Sequence, residues 1–384
     1  MTRRKSDQTR LVQAGIGEDP QTGSVATPLH TSSTYIWKDI ETKGEFDYGR
    51  TKNPTRELLT RALVELEGGV GGEIVNSGMA AIDLCLNLLD ANDLIIAPHD
   101  CYGGTHRLFT HRAFQNRIRV EFVDQSDEAA LDVALTHNPK MVFIETPSNP
   151  LMRIVDVAAI AKAAKAVGAL SVCDNTFLSP VRQKPLALGC DIVIHSNTKY
   201  INGHSDVVGG CVIANSEELT ERLRWWANCA GLTGAPFDSW LTLRGMRTLP
   251  ARMDIQEANA GKLATFLDGH NQVEKTYYPG LKCHPQFDLA AQQQFGPGAM
   301  LSFEIKGDLA TAKSFLSGLE LFQLAASLGG TESLICQPAI MTHAGMAPEA
   351  RQNAGIKDNL IRVSVGMENI DDLLADFTQS FSKI

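Results

Sequence analysis

The 384-residue chain has no stretch approaching the roughly 20 consecutive apolar residues that span a bilayer. Its eight cysteines include no CxxC pair, and its ten histidines include no HExxH or comparable cluster. Internal repeats and low-complexity segments are missing. So is any excess of basic residues: 35 Lys and Arg stand against 44 Asp and Glu, a net charge of −9. Each absence removes a class. A transmembrane protein is not expected. The basic start Arg3, Arg4 and Lys5 leads into polar Asp7, Gln8 and Glu18 instead of an apolar run, so no secretory signal is read and a cytoplasmic location is expected. Structural zinc and a disulfide framework both fit poorly. Cys85, Cys101, Cys173, Cys190, Cys211, Cys229, Cys283 and Cys336 are therefore expected to be buried, inert thiols. The acidic balance argues against a broad surface for nucleic acid or anionic membrane, while leaving room for a local pocket that takes a small anion.

What is present is an ordinary globular balance, 43% hydrophobic and 21% charged. The length suggests two or three domains at a prior of about 150 residues each. Residues 1–60 are rich in turn formers, lack a clear period and read as an arm. From about Glu73 to Asn215, short β-branched runs alternate with Ala-rich segments. The runs are Asp93–Pro98, Arg119–Val123, Met141–Glu145, Leu170–Cys173, Asp191–Ile194 and Val207–Ala214. Met79–Leu89, Glu128–Thr136 and Val157–Val167 carry apolar residues at helical spacing. This alternation predicts an α/β domain over residues 61–253, its mostly parallel sheet covered by helices on both faces. Glu217–Cys229 reads as a long helix. Residues 254–384, with strands at Ala299–Glu304 and Leu360–Ser364, read as a smaller C-terminal α/β domain.

In open α/β sheets, ligands sit beyond the carboxyl ends of the strands. Four such ends carry chemistry. Asn76-Ser77-Gly78-Met79 opens a helix, where free N–H groups and the helix dipole favour a phosphate, although Ser-Gly is equally an ordinary N-cap. Asp174-Asn175-Thr176 follows an apolar strand, where an unpaired carboxylate is costly to bury; the plainer reading is a turn or cap aspartate. Lys199 lies one short turn beyond the run Asp191–Ile194, flanked by the hydroxyls of Ser196 and Thr198. A lysine in a cleft can form a Schiff base. Tyr102, after Asp93–Pro98, offers a flat face and a phenol, or is simply a core residue. Together the four match one cofactor. Pyridoxal phosphate needs a lysine for its aldehyde, an anion site for its phosphate and a carboxylate for its ring nitrogen, and it gains from an aromatic face.

Asp174-Asn175-Thr176, followed by Ser196-Asn197-Thr198-Lys199-Tyr200-Ile201-Asn202-Gly203-His204-Ser205-Asp206, resembles the cystathionine-metabolising family of fold type I pyridoxal-phosphate enzymes. The likeness covers nearly the whole chain. It includes Asp47-Tyr48-Gly49-Arg50, Asn53-Pro54-Thr55-Arg56, Glu145-Thr146-Pro147-Ser148-Asn149-Pro150, Ser327-Leu328-Gly329-Gly330, Glu332-Ser333-Leu334, Met341-Thr342-His343 and Ile361-Arg362-Val363-Ser364. His99–Gly104, Trp225–Asn228 and Met346–Arg351 look like the bacterial γ-synthase branch of that family. The resemblance implies that Lys199 carries the cofactor, Asp174 pairs with its ring nitrogen and Tyr102 stacks on the ring. It places Ser77, Gly78, Met79, Thr176, Ser196 and Thr198 around the cofactor, the phosphate above all. Tyr48 and Arg50 would reach that phosphate from a neighbouring subunit, in a tetramer made of two dimers. Arg362, Ser327 and Asn149 would hold the substrate α-carboxylate, with Asp47, Arg107 and Thr342 also on the substrate side. No metal is implied. One departure stands out: the family's γ-synthases and γ-lyases often have Glu immediately before Ser-Leu-Gly-Gly, and here that residue is Ala326. Asp47 is a candidate substitute for its acidic character.

The implied reaction is γ-replacement, in which an activated L-homoserine ester, O-succinyl-L-homoserine, and L-cysteine give L-cystathionine and the free acid. Lys199 would act as the general base over Cα, and Tyr102 would deprotonate the incoming amine. Rival readings are a γ-lyase acting on cystathionine or a related thioether, and a homoserine-ester sulfhydrylase. A β-lyase fits less well, since that branch puts a bulky aromatic where Leu328 stands. A non-enzymatic descendant of the fold would have been signalled by loss of Lys199 or Asp174, and both are present. His195 and His204 read as structural.

Overall fold

The computed structural model describes residues 5–384. Seven strands form the larger sheet: β1 (Gly71–Val75), β2 (Leu94–Pro98), β3 (Arg119–Val123), β4 (Met141–Glu145), β5 (Leu170–Asp174), β6 (Ile192–Ser196) and β7 (Gly210–Ala214). Their spatial order is β1-β7-β6-β5-β4-β2-β3. The five neighbours from β6 to β3 run parallel, and β7 lies antiparallel to both β6 and β1.

Every residue of β2 and β4 is buried, as a parallel sheet sandwiched between helices requires. Within β4 the pleat sends Met141 and Phe143 to one core and Val142 and Ile144 to the other. Helices α3 (Gly78–Leu86), α4 (Gly103–Phe114), α5 (Glu128–Leu135) and α6 (Val157–Ala166) supply the cover. The centre of the sheet therefore has no solvent face, while the edge strand β3 is exposed at Arg119.

A second sheet holds β8 (Val273–Tyr277), β9 (Met300–Ile305), β10 (Gln323–Leu324), β11 (Leu334–Cys336) and β12 (Leu360–Ser364), in the order β10-β11-β12-β9-β8. Phe303, Phe315, Phe377 and Phe381 fill its core. The 20-residue helix Leu249–Asp268 contributes Met253, Ala260 and Leu263 to that same core.

Three segments depart from the sequence expectations. Helix α1 (Asp7–Gln13) and the start of α2 (Pro54–Glu67) lie within the stretch read as arm; Ser6 and Asn53 cap them, and Pro54 opens α2. Strand β1 lies outside the runs expected from the sequence, because Gly71 and Gly72 mask its β character. Cys229 and Cys283 are exposed, while the other six thiols are buried. Cys229 sits on the outer side of an amphipathic helix and Cys283 in a turn, so neither had an apolar run around it.

Candidate active site

The carboxyl ends of β4, β5 and β6 and the start of α3 meet β12 and the 326–328 loop around a cavity of about 230 Å³. Lys199, just past β6, enters from one side and its Nζ donates to Ser327 Oγ at 2.9 Å. Gly329 lets that loop come so close: its φ is +79°, and a Cβ there would lie 2.7 Å from Tyr200 N. Opposite, Arg362 on β12 donates through Nη1 to Asn149 Oδ1 and through Nη2 to Ser327 O, both at 3.0 Å. Arg362 Nε is buried and has no partner among the described residues.

Burial, helped by the positive Arg362, lowers the Lys199 amine from its usual range to about 8. The neutral amine is the form that attacks an aldehyde. The rate at which the cofactor-free protein takes up pyridoxal phosphate, followed by visible absorption, should climb with pH and level off just above pH 8. An ordinary lysine would keep climbing toward pH 10. Arg362→Met should move the plateau to higher pH, by less than the whole shift because burial is the larger cause.

Asp174 ends β5. Its Oδ1 accepts the Thr176 N–H at 2.9 Å, and Thr176 Oγ1 accepts the Ser196 N–H at 2.9 Å. Burial raises its carboxyl above the usual range, and no Lys, Arg or His forms an ion pair with it among the described residues. At the next strand end, Glu145 is the register partner of Asp174. Burial and then the charge of Asp174 push Glu145 well above the ordinary carboxylate range. Two carboxylates at the wall of one cavity, with no cation against either, create a demand for positive charge.

The turn that opens α3 is equally specific. Ser77 caps α3 by accepting the Ala80 N–H at 3.1 Å. A Cβ on Gly78 would fall 2.7 Å from Ser196 Cβ, so only glycine brings this turn onto β6. Thr198 is fixed by exchange with Gly209, donating from Oγ1 to its carbonyl at 3.2 Å and accepting its N–H at 3.0 Å. Tyr102 opens α4 with its ring exposed toward the cavity, and Gly104 gives the ring room, since a Cβ there would lie 2.5 Å from Tyr102 Cε1 and 2.9 Å from Met79 Sδ.

Ser77, Gly78, Met79, Tyr102, Asn149, Asp174, Thr176, Ser196, Thr198, Lys199 and Arg362 thus line one cavity, with Ser327 bonded to Lys199 beside it. Ala326 and Leu328 line it too. Asp47, Tyr48 and Arg50 stand elsewhere in this chain. Asp47 pairs with Lys43 at 3.3 Å, and Arg50 Nε donates to Asn228 Oδ1 at 3.0 Å with its guanidinium 5.4 Å from the Tyr48 ring centre. Arg107 is exposed on α4. Thr342 donates to or accepts from His343 Nδ1 at 2.9 Å, while His343 Nε2 lies 3.0 Å from the Asn149 carbonyl. His195 bonds buried Glu67 at 2.6 Å and His204 bonds the Asn202 carbonyl at 2.7 Å. Glu145 had no assigned role in the sequence. The available signal was an acid at the end of an otherwise apolar strand, the same signal that marked Asp174.

These groups fit pyridoxal phosphate: a largely buried amine, a carboxylate with no cation, a hydroxyl-lined glycine turn and a free aromatic face. Residues 8–382 match the family described as Cys/Met metabolism PLP-dependent enzyme. The chain belongs to that family. It is 52% identical over 382 residues to the cystathionine gamma-synthase of Escherichia coli K12, covering 99% of this chain and 98% of that one. It is 45% identical over 378 residues to the cystathionine beta-lyase of Lactococcus lactis MG1363, covering 98% and 99%. A crystal structure of cystathionine gamma synthase from Xanthomonas oryzae pv. oryzae, in complex with aminoacrylate and cysteine, superimposes with a TM-score of 0.98 at 52% identity over 99% of both chains. The protein is therefore a pyridoxal-phosphate enzyme of fold type I, with the large and small sheets of that fold. No helix among the described residues is long and apolar enough to cross a membrane.

Proposed function

We propose that this enzyme is a cystathionine γ-synthase, which joins O-succinyl-L-homoserine and L-cysteine to give L-cystathionine and succinate. The observation that carries the reading is the placement of Lys199 between the anion cradle and the Arg362–Asn149 pair. That spacing suits an α-amino acid whose carboxylate meets Arg362 and whose Cα lies within reach of the lysine. Full-length similarity favours the synthase over the lyases, 52% against 45%. Leu328 in the wall leaves more width than a bulky aromatic would.

Bound pyridoxal phosphate supplies an electron sink that makes the Cα proton removable. The residues of the chain do the rest. Lys199 would act as the base that takes the Cα proton off the amino acid and then, having given that proton up, takes one from Cβ, so that the γ-carboxylate can leave and the cysteine thiolate can bond to Cγ in its place. Tyr102 takes a proton from the incoming amine. Asp174 balances the ring nitrogen, and Ser77, Gly78, Met79, Thr176, Ser196 and Thr198 hold the cofactor and its phosphate. A product assay tests the assignment. Cystathionine should form when cysteine is present, and 2-oxobutyrate with ammonia should form when it is not. Cystathionine cleavage without synthesis would move the enzyme to the γ-lyases.

The arm, residues 1–60, is read as reaching a neighbouring subunit, where Tyr48 and Arg50 complete the phosphate site and Asp47 faces the substrate. Two such dimers would make a tetramer. The arm leaves Ile36 95% and Ile40 89% exposed in the single chain, surface that a second copy would cover. Co-expressed Arg50→Ala and Lys199→Ala chains should recover about a quarter of wild-type activity. Half of randomly paired dimers are mixed, and each mixed dimer has one intact site. If the mixture stays as inactive as its parents, each site is built from one chain.

A further inference from the structure

Glu145 lines the cavity but has no part in the chemistry described above. It is nearly fully buried, yet no basic side chain forms an ion pair with it among the described residues. Its hydrogen-bond partner is a backbone N–H from another segment, that of Tyr102. Both carboxylate oxygens accept the Tyr102 N–H, at 2.9 and 3.1 Å, and the nearby Asn149 N–H favours the charged carboxylate.

The bond to Tyr102 is unusual in kind. Tyr102 is the N-cap of α4, and its side chain makes no capping hydrogen bond. In a capping box, an acid three residues into the helix would accept the N-cap N–H. Here that position is Thr105, so a carboxylate from a strand 43 residues away performs the task. That bond anchors the Tyr102 backbone where α4 starts. The same carboxylate lies beside the backbone of Asn149, whose Oδ1 receives Arg362.

We propose that Glu145 is a positioning residue, holding Tyr102 and Asn149 in register so that the proton-transfer phenol and the carboxylate clamp address one substrate together. The inference rests on the roles proposed for Tyr102 and Asn149. Glutamine at position 145 offers one acceptor and a competing NH2 group, and aspartate is one methylene too short to reach the Tyr102 N–H.

The test is a kinetic cycle on the cofactor-loaded enzyme, using O-succinyl-L-homoserine with cysteine. Glu145→Gln should lower kcat by about ten- to a hundredfold and raise KM by about tenfold, as expected for displaced but intact catalytic groups. Cofactor absorption and melting temperature should stay near wild type. In a Tyr102→Phe background, where the phenol is already gone, most of the kcat effect should vanish while the KM effect persists. Glu145→Asp should fail to restore kcat. Fully additive kcat losses would overturn the proposal, and so would a Glu145→Gln chain that melts early and loses its cofactor, since Glu145 would then be only a scaffold residue. A product profile of cleavage alone would overturn the γ-synthase reading instead, and the same cycle measured on cystathionine would still decide the role of Glu145.

Discussion

Replacing Lys199 by alanine is expected to abolish the visible absorption of lysine-bound cofactor and to reduce turnover by at least about a thousandfold, a loss of about 4 kcal/mol of transition-state stabilisation. Among the described residues Lys199 is the only lysine lining the cavity, and on the proposed mechanism the change removes both the covalent anchor and the base over Cα. The fold should survive. Ser327 Oγ loses its partner at 2.9 Å, but a largely buried amine, already disfavoured as a cation, leaves with it. The melting temperature of the cofactor-free variant should therefore match or exceed that of wild type, and added methylamine should restore a small part of the activity. Full absorption with retained turnover in this variant would remove the basis for the whole site.

The second large effect belongs to Asp174. Asparagine keeps the shape and can still accept the Thr176 N–H, but it carries no charge for the ring nitrogen. Turnover should fall by about a hundred- to a thousandfold and the cofactor should bind more than tenfold more weakly. Stability of the cofactor-free protein should move the other way. Burial raises the folded-state pKa of Asp174 above its unfolded value near 4. Its contribution is therefore fully present below that unfolded value and is lost as pH rises through the higher folded one. Denaturant titrations between pH 4 and neutrality should show wild type losing stability with rising pH, and Asp174→Asn losing less. Glu145, raised by the same burial, remains to supply part of the slope.

The two carboxylates show how unevenly the site could be read in advance. Asp174 was visible because the acid follows an apolar run, and Lys199 because hydroxyls flank it. Glu145 has the same sequence signature as Asp174, but its partner, the Tyr102 N–H, belongs to another segment and has no side-chain identity to betray it. The exposed Cys229 and Cys283 mislead for a related reason, since a thiol on the outer side of a helix looks no different in composition from one inside.

By itself the sequence determined the alternation of strands and helices, the parallel sheet and the residues at each strand end. Those features are local: a five-residue apolar run can be buried on both faces only between helices, and a charge can sit only where the run stops. Tertiary structure decided which ends meet. It set Arg362 against Asn149, 213 residues apart, and Lys199 against Ser327, 128 residues apart. It left Tyr48 and Arg50 outside the cavity of their own chain. Strand order depends on the packing of helices across the whole sheet, and no local pattern carries that information.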